Sequence, residues 1–149
     1  ERHGPEPEVL AAKSRTAELA LIRERIEAFR DSDHNTLALI CRTQKQAERL
    51  HRDLSRTLDQ AEPAVPLQLL NEHSQSFGHG VIVCTAYMAK GLEFDEVVVA
   101  GASATSYRNR MDQHLLYVAC TRARHRLTLT HQGTPTGLID PDRETPADA

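Results

Sequence analysis

The chain has 149 residues, 40% of them hydrophobic and 26% charged, a balance that supports one globular domain with a buried core. Its 18 basic and 21 acidic residues leave a net charge of −3, which excludes indiscriminate nucleic-acid binding through bulk charge but leaves room for a local basic patch. No apolar run approaches the roughly 20 residues of a membrane helix, and the polar, proline-containing Glu1–Glu8 reads as carrying no signal peptide.

Residues 1–7 form a polar lead-in. Val9–Ala12 is short and apolar enough for a strand. From Arg15 to Arg30 the residues Leu19, Ile22, Ile26 and Phe29 recur at steps of three and four, the apolar stripe of a helix, with Ser14 as N-cap and Glu18 suited to its positive end. Thr36–Cys41 (TLALIC) reads as a buried strand. Thr43 opens a second helix with Ala47, Leu50, Leu54 and Leu58 on one face, closed by Pro63 and Pro66. Leu67–Leu70, Val81–Cys84 and Val97–Ala100 are further buried strands. A last helix is expected over Asp112–Ala123, then an alternating strand at Leu127–Thr130. Past residue 132 the chain turns rich in Pro, Asp and Thr and reads as a mostly flexible tail with a short turn at Gly137–Ile139. Strands interleaved with amphipathic helices give an α/β domain over residues 8–132, a mostly parallel sheet flanked by helices.

Such sheets bind ligands beyond the carboxyl ends of their strands. That rule marks Arg42 after TLALIC, Thr85 after VIVC, and Gly101 after VVVA. Arg42 is either a solvated loop residue or a ligand. The segment after Thr85 carries Lys90, Gly91, Glu93 and Asp95 between two buried strands, and only three of the 18 basic residues are lysines. A lone Lys beside a Gly, where a backbone can approach a ligand, reads as more than a connector, although Glu93 and Asp95 also fit a solvated loop. Leu115, Val118 and Arg122 share the spacing of one helix face, so Arg122 either snorkels at the helix end or reaches into a cleft that holds an anion.

Other sites are refused. Asp95-Glu96 precedes its strand, whereas a Mg²⁺-binding acidic pair follows one. The 8 histidines show no metal-ligand spacing, so no metal site is expected. Cys41, Cys84 and Cys120 sit apart in apolar stretches without a C-x-x-C pair and read as reduced core thiols. With no targeting segment, they place the protein in the cytoplasm. No G-x-x-x-x-G-K-[ST] occurs, so the chain lacks a P-loop of its own.

Three segments in order resemble motifs IV, V and VI of superfamily 1 helicases of the UvrD/Rep group, especially its helicase IV (HelD-like) branch. They are ALICRTQKQAERL (Ala38–Leu50), VCTAYMAKGLEFDEVVV (Val83–Val99) and LLYVACTRAR (Leu115–Arg124). The resemblance implies the second RecA-like motor lobe, 2A, of an ATP-dependent DNA helicase. It implies as partners an N-terminal lobe that binds ATP and supplies the P-loop and Mg²⁺ ligands, and single-stranded or partly duplex DNA.

By position, Arg42 and Arg122 resemble the two arginines that reach the γ-phosphate. Glu93 resembles the acid that bonds the ribose, with Gly91 allowing close packing and Lys90 supporting either surface. Thr85 and Tyr87 resemble residues facing the DNA backbone. The chain departs from the family in having Cys41 where an adenine-stacking aromatic is common and Tyr87 where His is common. It also has only about thirty residues between motifs IV and V, too few for the domain that UvrD and Rep insert, and this is what points to the helicase IV branch. On this reading the fragment alone hydrolyses nothing. Alternatives are a lobe of a HelD-type ATPase that remodels RNA polymerase, a lobe from the nuclease-associated helicases related to exonuclease V, and a non-catalytic interaction module.

Overall fold

A computed structural model describes residues 5–58, 66–71 and 78–137. The strands are β1 (Pro7–Ala12), β2 (Thr36–Cys41), β3 (Leu67–Leu69), β4 (Gly80–Thr85), β5 (Phe94–Val99) and β6 (Ala123–Gln132). The helices are α1 (Arg15–Arg30), α2 (Gln44–Leu58), α3 (Ala86–Ala89) and α4 (Arg110–Cys120). The strands form one six-stranded sheet in the order β1-β6-β5-β2-β4-β3, and every pairing is parallel. All strands therefore start at one edge of the sheet and end at the other.

Alternation along each strand sends side chains to two cores. Leu37, Leu39, Val81, Val83 and Val98 pack under α1 and α2, against Ile22, Ile26, Phe29, Leu50 and Leu54. Ala38, Ile40, Ile82, Cys84, Val97 and Val99 face the opposite side, against Ala86, Ala89, Leu116 and Ala119 of α3 and α4. With both faces covered, the inner strands read as continuous apolar runs. The same cover explains β6. Its Leu127–His131 is buried throughout, so the expected alternation does not occur. Leu127 and Leu129 join the α4 side, while Thr130 turns to α1 and donates to Glu18 Oε2 at 2.6 Å.

The expected α1 is found residue for residue, capped by Ser14, whose hydroxyl accepts from Ala17 N–H. The second helix starts after a reciprocal cap. Gln46 N–H donates to Thr43 Oγ1 at 3.2 Å, and Gln46 Oε1 accepts from Thr43 N–H at 3.1 Å. Pro63 and the expected turn beyond Gly137 lie outside the described residues.

Three expectations change. The last helix begins two residues earlier and ends at Cys120, so Arg122 lies past the helix rather than on its stripe. The early start comes from a capping box between Asn109 and Asp112. The four-residue α3 also stands where the sequence predicts only a loop. Finally, the start of the expected tail is docked: Ala104 N–H donates to Thr134 O, Thr136 N–H to Ala102 O, and Thr136 Oγ1 to Tyr107 O.

Candidate functional site

At the carboxyl edge of the sheet, β2 and β4 end side by side, with Cys41 opposite Thr85. A cleft of about 820 Å³ opens beyond them, lined among others by Arg42, Gln44, Thr85, Tyr87, Lys90 and His114. Thr85 is the N-cap of α3, its hydroxyl accepting from Met88 N–H at 3.1 Å, so its oxygen is already committed locally. That cap turns the chain sharply after β4 and presents Tyr87 to solvent, 72% exposed. Met111 of α4, 69% exposed, also lines the cleft. Lys90 follows at the end of α3.

Arg42 is fixed from across the cleft. Its Nε donates to Asp112 Oδ1 at 2.6 Å. Asp112 also accepts, through Oδ2, the N–H groups of Arg108 at 2.9 Å and Asn109 at 3.3 Å. The Arg108 N–H, then the Arg42 guanidinium, hold this buried carboxyl below the usual carboxylate range against the opposing effect of burial. One acid thus orients the arginine and caps α4. Asp112 was missed as a site residue because the expected helix start fell on it, whereas Asn109-x-x-Asp112 carries the capping signal.

At the amino edge, β5 and β6 begin side by side, with Phe94 opposite Ala123. Gly91 adopts φ +83°, a left-handed turn, and a Cβ there would meet no atom within 4 Å. Within the chain, its glycine is therefore required by backbone sign. Glu93 Oε1 accepts from Arg124 Nε at 3.0 Å, both side chains more than half exposed. Arg122 is tethered by Nη1 to Leu92 O at 3.3 Å and Nη2 to Thr121 Oγ1 at 3.2 Å. Its Nε is buried with no acceptor among the described residues. Nearby, His34 Nδ1 lies 2.6 Å from Glu96 Oε2, and the His34 and His125 rings stack at 5.0 Å.

The structure therefore divides the expected site residues between two edges. Arg42, Thr85, Tyr87 and Lys90 share the carboxyl-edge cleft. Gly91, Glu93 and Arg122 lie toward the amino edge, where Arg122 O accepts from Phe94 N–H. Between the two edges runs α4, whose first turn holds Asp112. The ten positions from Asp112 to Arg122 span about 15 Å at roughly 1.5 Å per residue. In backbone position Arg42 follows the carboxyl end of β2, and Arg122 precedes the amino end of β6.

Burial pushes the thiols of Cys41, Cys84 and Cys120 each up to a pKa of about 12. Among the described residues no cluster of His, Cys, Asp and Glu could hold a metal ion, and no helix is long and apolar enough to cross a membrane.

Residues 80–130, spanning β4 to β6, match the family model of the UvrD-like helicase C-terminal domain. The chain is similar to the C-terminal domain of a possible DNA helicase from Lactobacillus plantarum WCFS1, at 27% identity and a TM-score of 0.78, covering 95% of this chain and 83% of that one. It shares its fold with T. fusca Cas3 in complex with ATP (14% identity, TM-score 0.61, 89% of this chain and 19% of that one). It also shares its fold with the C-terminal domain of the DEAD-box protein Dbp5 (12% identity, TM-score 0.55, 87% and 76%). No curated protein matches the chain. The fold matches that of helicase C-terminal RecA-like domains, the segment 80–130 is similar to the UvrD-like helicase C-terminal domain, and the sequence holds no P-loop motif.

Proposed function

We propose that this domain is the second motor lobe, 2A, of an ATP-dependent DNA helicase, with its amino edge turned to ATP and its carboxyl-edge cleft to single-stranded DNA. The observation that carries this reading is the division of the site residues between two edges joined by α4. On the amino edge, the buried Arg122 Nε without an acceptor suits an incoming anion, and the Glu93 carboxylate suits hydroxyl donors of a ribose. An N-terminal lobe holds the P-loop and the Mg²⁺ ligands. When bound, ATP supplies the phosphoryl group whose transfer to water powers movement. Arg122 then adds a permanent, delocalised positive charge as the lobes close, a contribution worth about 10³–10⁵ in rate for arginine fingers of related enzymes.

On the other edge, Arg42 and Lys90 supply the charge, and exposed Tyr87 a surface on which a base stacks. Arg42 thus moves from the triphosphate to the DNA backbone. The helicase IV/HelD-like assignment draws support from chain length, since only residues 59–66 separate α2 from β3 and leave no room for an inserted domain.

The test uses the protein that joins this lobe to its P-loop partner. Arg122→Ala is expected to lower ATPase kcat at least about 100-fold with single-stranded DNA affinity unchanged. Arg42→Gln is expected to weaken DNA binding with ATP turnover at saturating DNA retained. If both variants alter the same parameter to the same degree, the two-edge assignment fails.

A further inference from the structure

Two helices wall the carboxyl-edge cleft with apolar side chains. Tyr87 and Met88 come from α3, and Met111 and Leu115, four positions apart on one face, come from α4. The sequence has 2 methionines, and both line this cleft. Tyr87 at 72% and Met111 at 69% are the most exposed large hydrophobic side chains among the described residues. The walls are held at a fixed distance, because Ala86 and Ala89 of α3 share one buried cluster with Leu116 and Ala119 of α4. An apolar patch of this kind, rimmed by polar groups, marks a binding groove.

Charge alone does not explain the cleft. Arg42 is paired with Asp112, and Lys90 shares the lining with Glu48, so the cations are offset. What remains open is donor capacity. Arg42 spends only its Nε on Asp112, and neither its Nη groups nor Lys90 Nζ donates to a described residue. The occupant that fits has a flat apolar body for the walls and an acceptor-rich group beside it for these donors. A nucleotide unit of single-stranded DNA has both. Its base stacks on the tyrosine ring, and the polarisable thioether of Met111 packs on the base.

We propose that the cleft grips one unstacked nucleobase between Tyr87 and Met111, so that contact with the base, more than contact with phosphate, sets the affinity for DNA here. The inference rests on the DNA reading of the cleft and adds which part of the nucleotide is recognised. Met111 is the new binding residue. The capping box that starts α4 sets it in the first turn, directly beside the Asp112 that orients Arg42. One turn of helix therefore places both the second wall of the base slot and the donor for the adjoining phosphate.

The test compares two fluorescein-labelled probes of equal length and charge, an oligothymidylate and its fully abasic analogue. Their binding to this 149-residue chain is read by fluorescence anisotropy, and thermal melts confirm that each variant is folded. The abasic probe is expected to bind at least about 10-fold more weakly. Tyr87→Ala and Met111→Ala are each expected to weaken oligothymidylate binding about 3–10-fold and to leave the abasic probe unchanged, whereas Tyr87→Phe and Met111→Leu stay within about 2-fold of wild type. Abasic binding equal to oligothymidylate binding, or alanine variants that weaken both probes alike, overturns the base slot and leaves the DNA reading standing. If neither probe binds, the DNA reading falls and the slot with it. Methyl-13C methionine spectra locate the contact, because Met88 and Met111 both report from the cleft. Both signals should move with the oligothymidylate. Signals that stay still while anisotropy rises, or that move with protein concentration alone, overturn the proposal, the second in favour of a second copy of this chain. Displacement of the oligothymidylate by an equal concentration of thymidine monophosphate overturns it in favour of a free-nucleotide pocket.

Discussion

Removing the Asp112 carboxylate strikes two functions at once. In the folded chain it accepts three hydrogen bonds, from Arg42 Nε at 2.6 Å and from the N–H groups of Arg108 and Asn109 at 2.9 and 3.3 Å, and its side chain is only 6% exposed. Loss of a helix cap costs about 1 kcal/mol. Loss of a charge-assisted bond to a partner that can still turn to water costs about 1.5–3 kcal/mol, and Arg42, 26% exposed, has that freedom. Asp112→Ala should therefore destabilise the domain by about 3 kcal/mol, lowering Tm by about 6–12 °C at the 2–4 °C per kcal/mol of a domain this size. Asp112→Asn, which keeps one acceptor, should cost about half as much.

The pH dependence has a defined sign. Because the folded carboxyl titrates below its ordinary value of 3.8, its stabilisation is fully present above that pH and drains away as pH falls through the lower, folded value. Calorimetry of wild type and Asp112→Asn between pH 7 and pH 3 should show the gap between their melting points constant at first and narrowing only below about pH 4. An Asp112→Ala midpoint within 1–2 °C of wild type, or a gap already narrowing at pH 6, would refute the assignment.

Two further effects follow from the same geometry. Gly91→Ala adds a methyl group to a left-handed residue with open space around it, so urea unfolding should show a loss of about 1–2 kcal/mol, set by backbone strain alone. A loss above 4 kcal/mol would mean that the turn is packed after all. Cys41, Cys84 and Cys120, each raised to about 12 by burial, should resist Ellman's reagent at pH 8 in the native chain and react together in denaturant. Rapid native labelling of Cys41 or Cys84 would contradict their burial.

Much of the architecture was legible because its signals are local. The stripe of Leu19, Ile22, Ile26 and Phe29 and the Ser14 cap set α1, and the apolar runs TLALIC and VIVC could only be strands covered on both faces. What stayed hidden depends on partners distant in sequence. Arg122 falls on a helical spacing with Leu115 and Val118, yet Thr121 caps α4 one residue before it. Glu18 read as a simple dipole match and is instead a buried hub for groups 83 to 114 positions away. The places of Arg42 and Arg122 relative to the strands are hidden in the same way. A motif places residues in order along the chain, whereas only the strand directions show that one follows a strand and the other precedes its neighbour.

The margins of the sheet carry a consequence for how the domain behaves at high concentration. Open strand borders invite other chains to pair with them. Here one border opens on Pro7, which lacks an N–H to donate, followed directly by the negative Glu8, and the other border is the three-residue β3. Among the described residues β3 is too short to offer a long row of donors and acceptors, and the row along β1 is broken at its start by Pro7. Crowded molecules of this chain should therefore find little to pair with along β3.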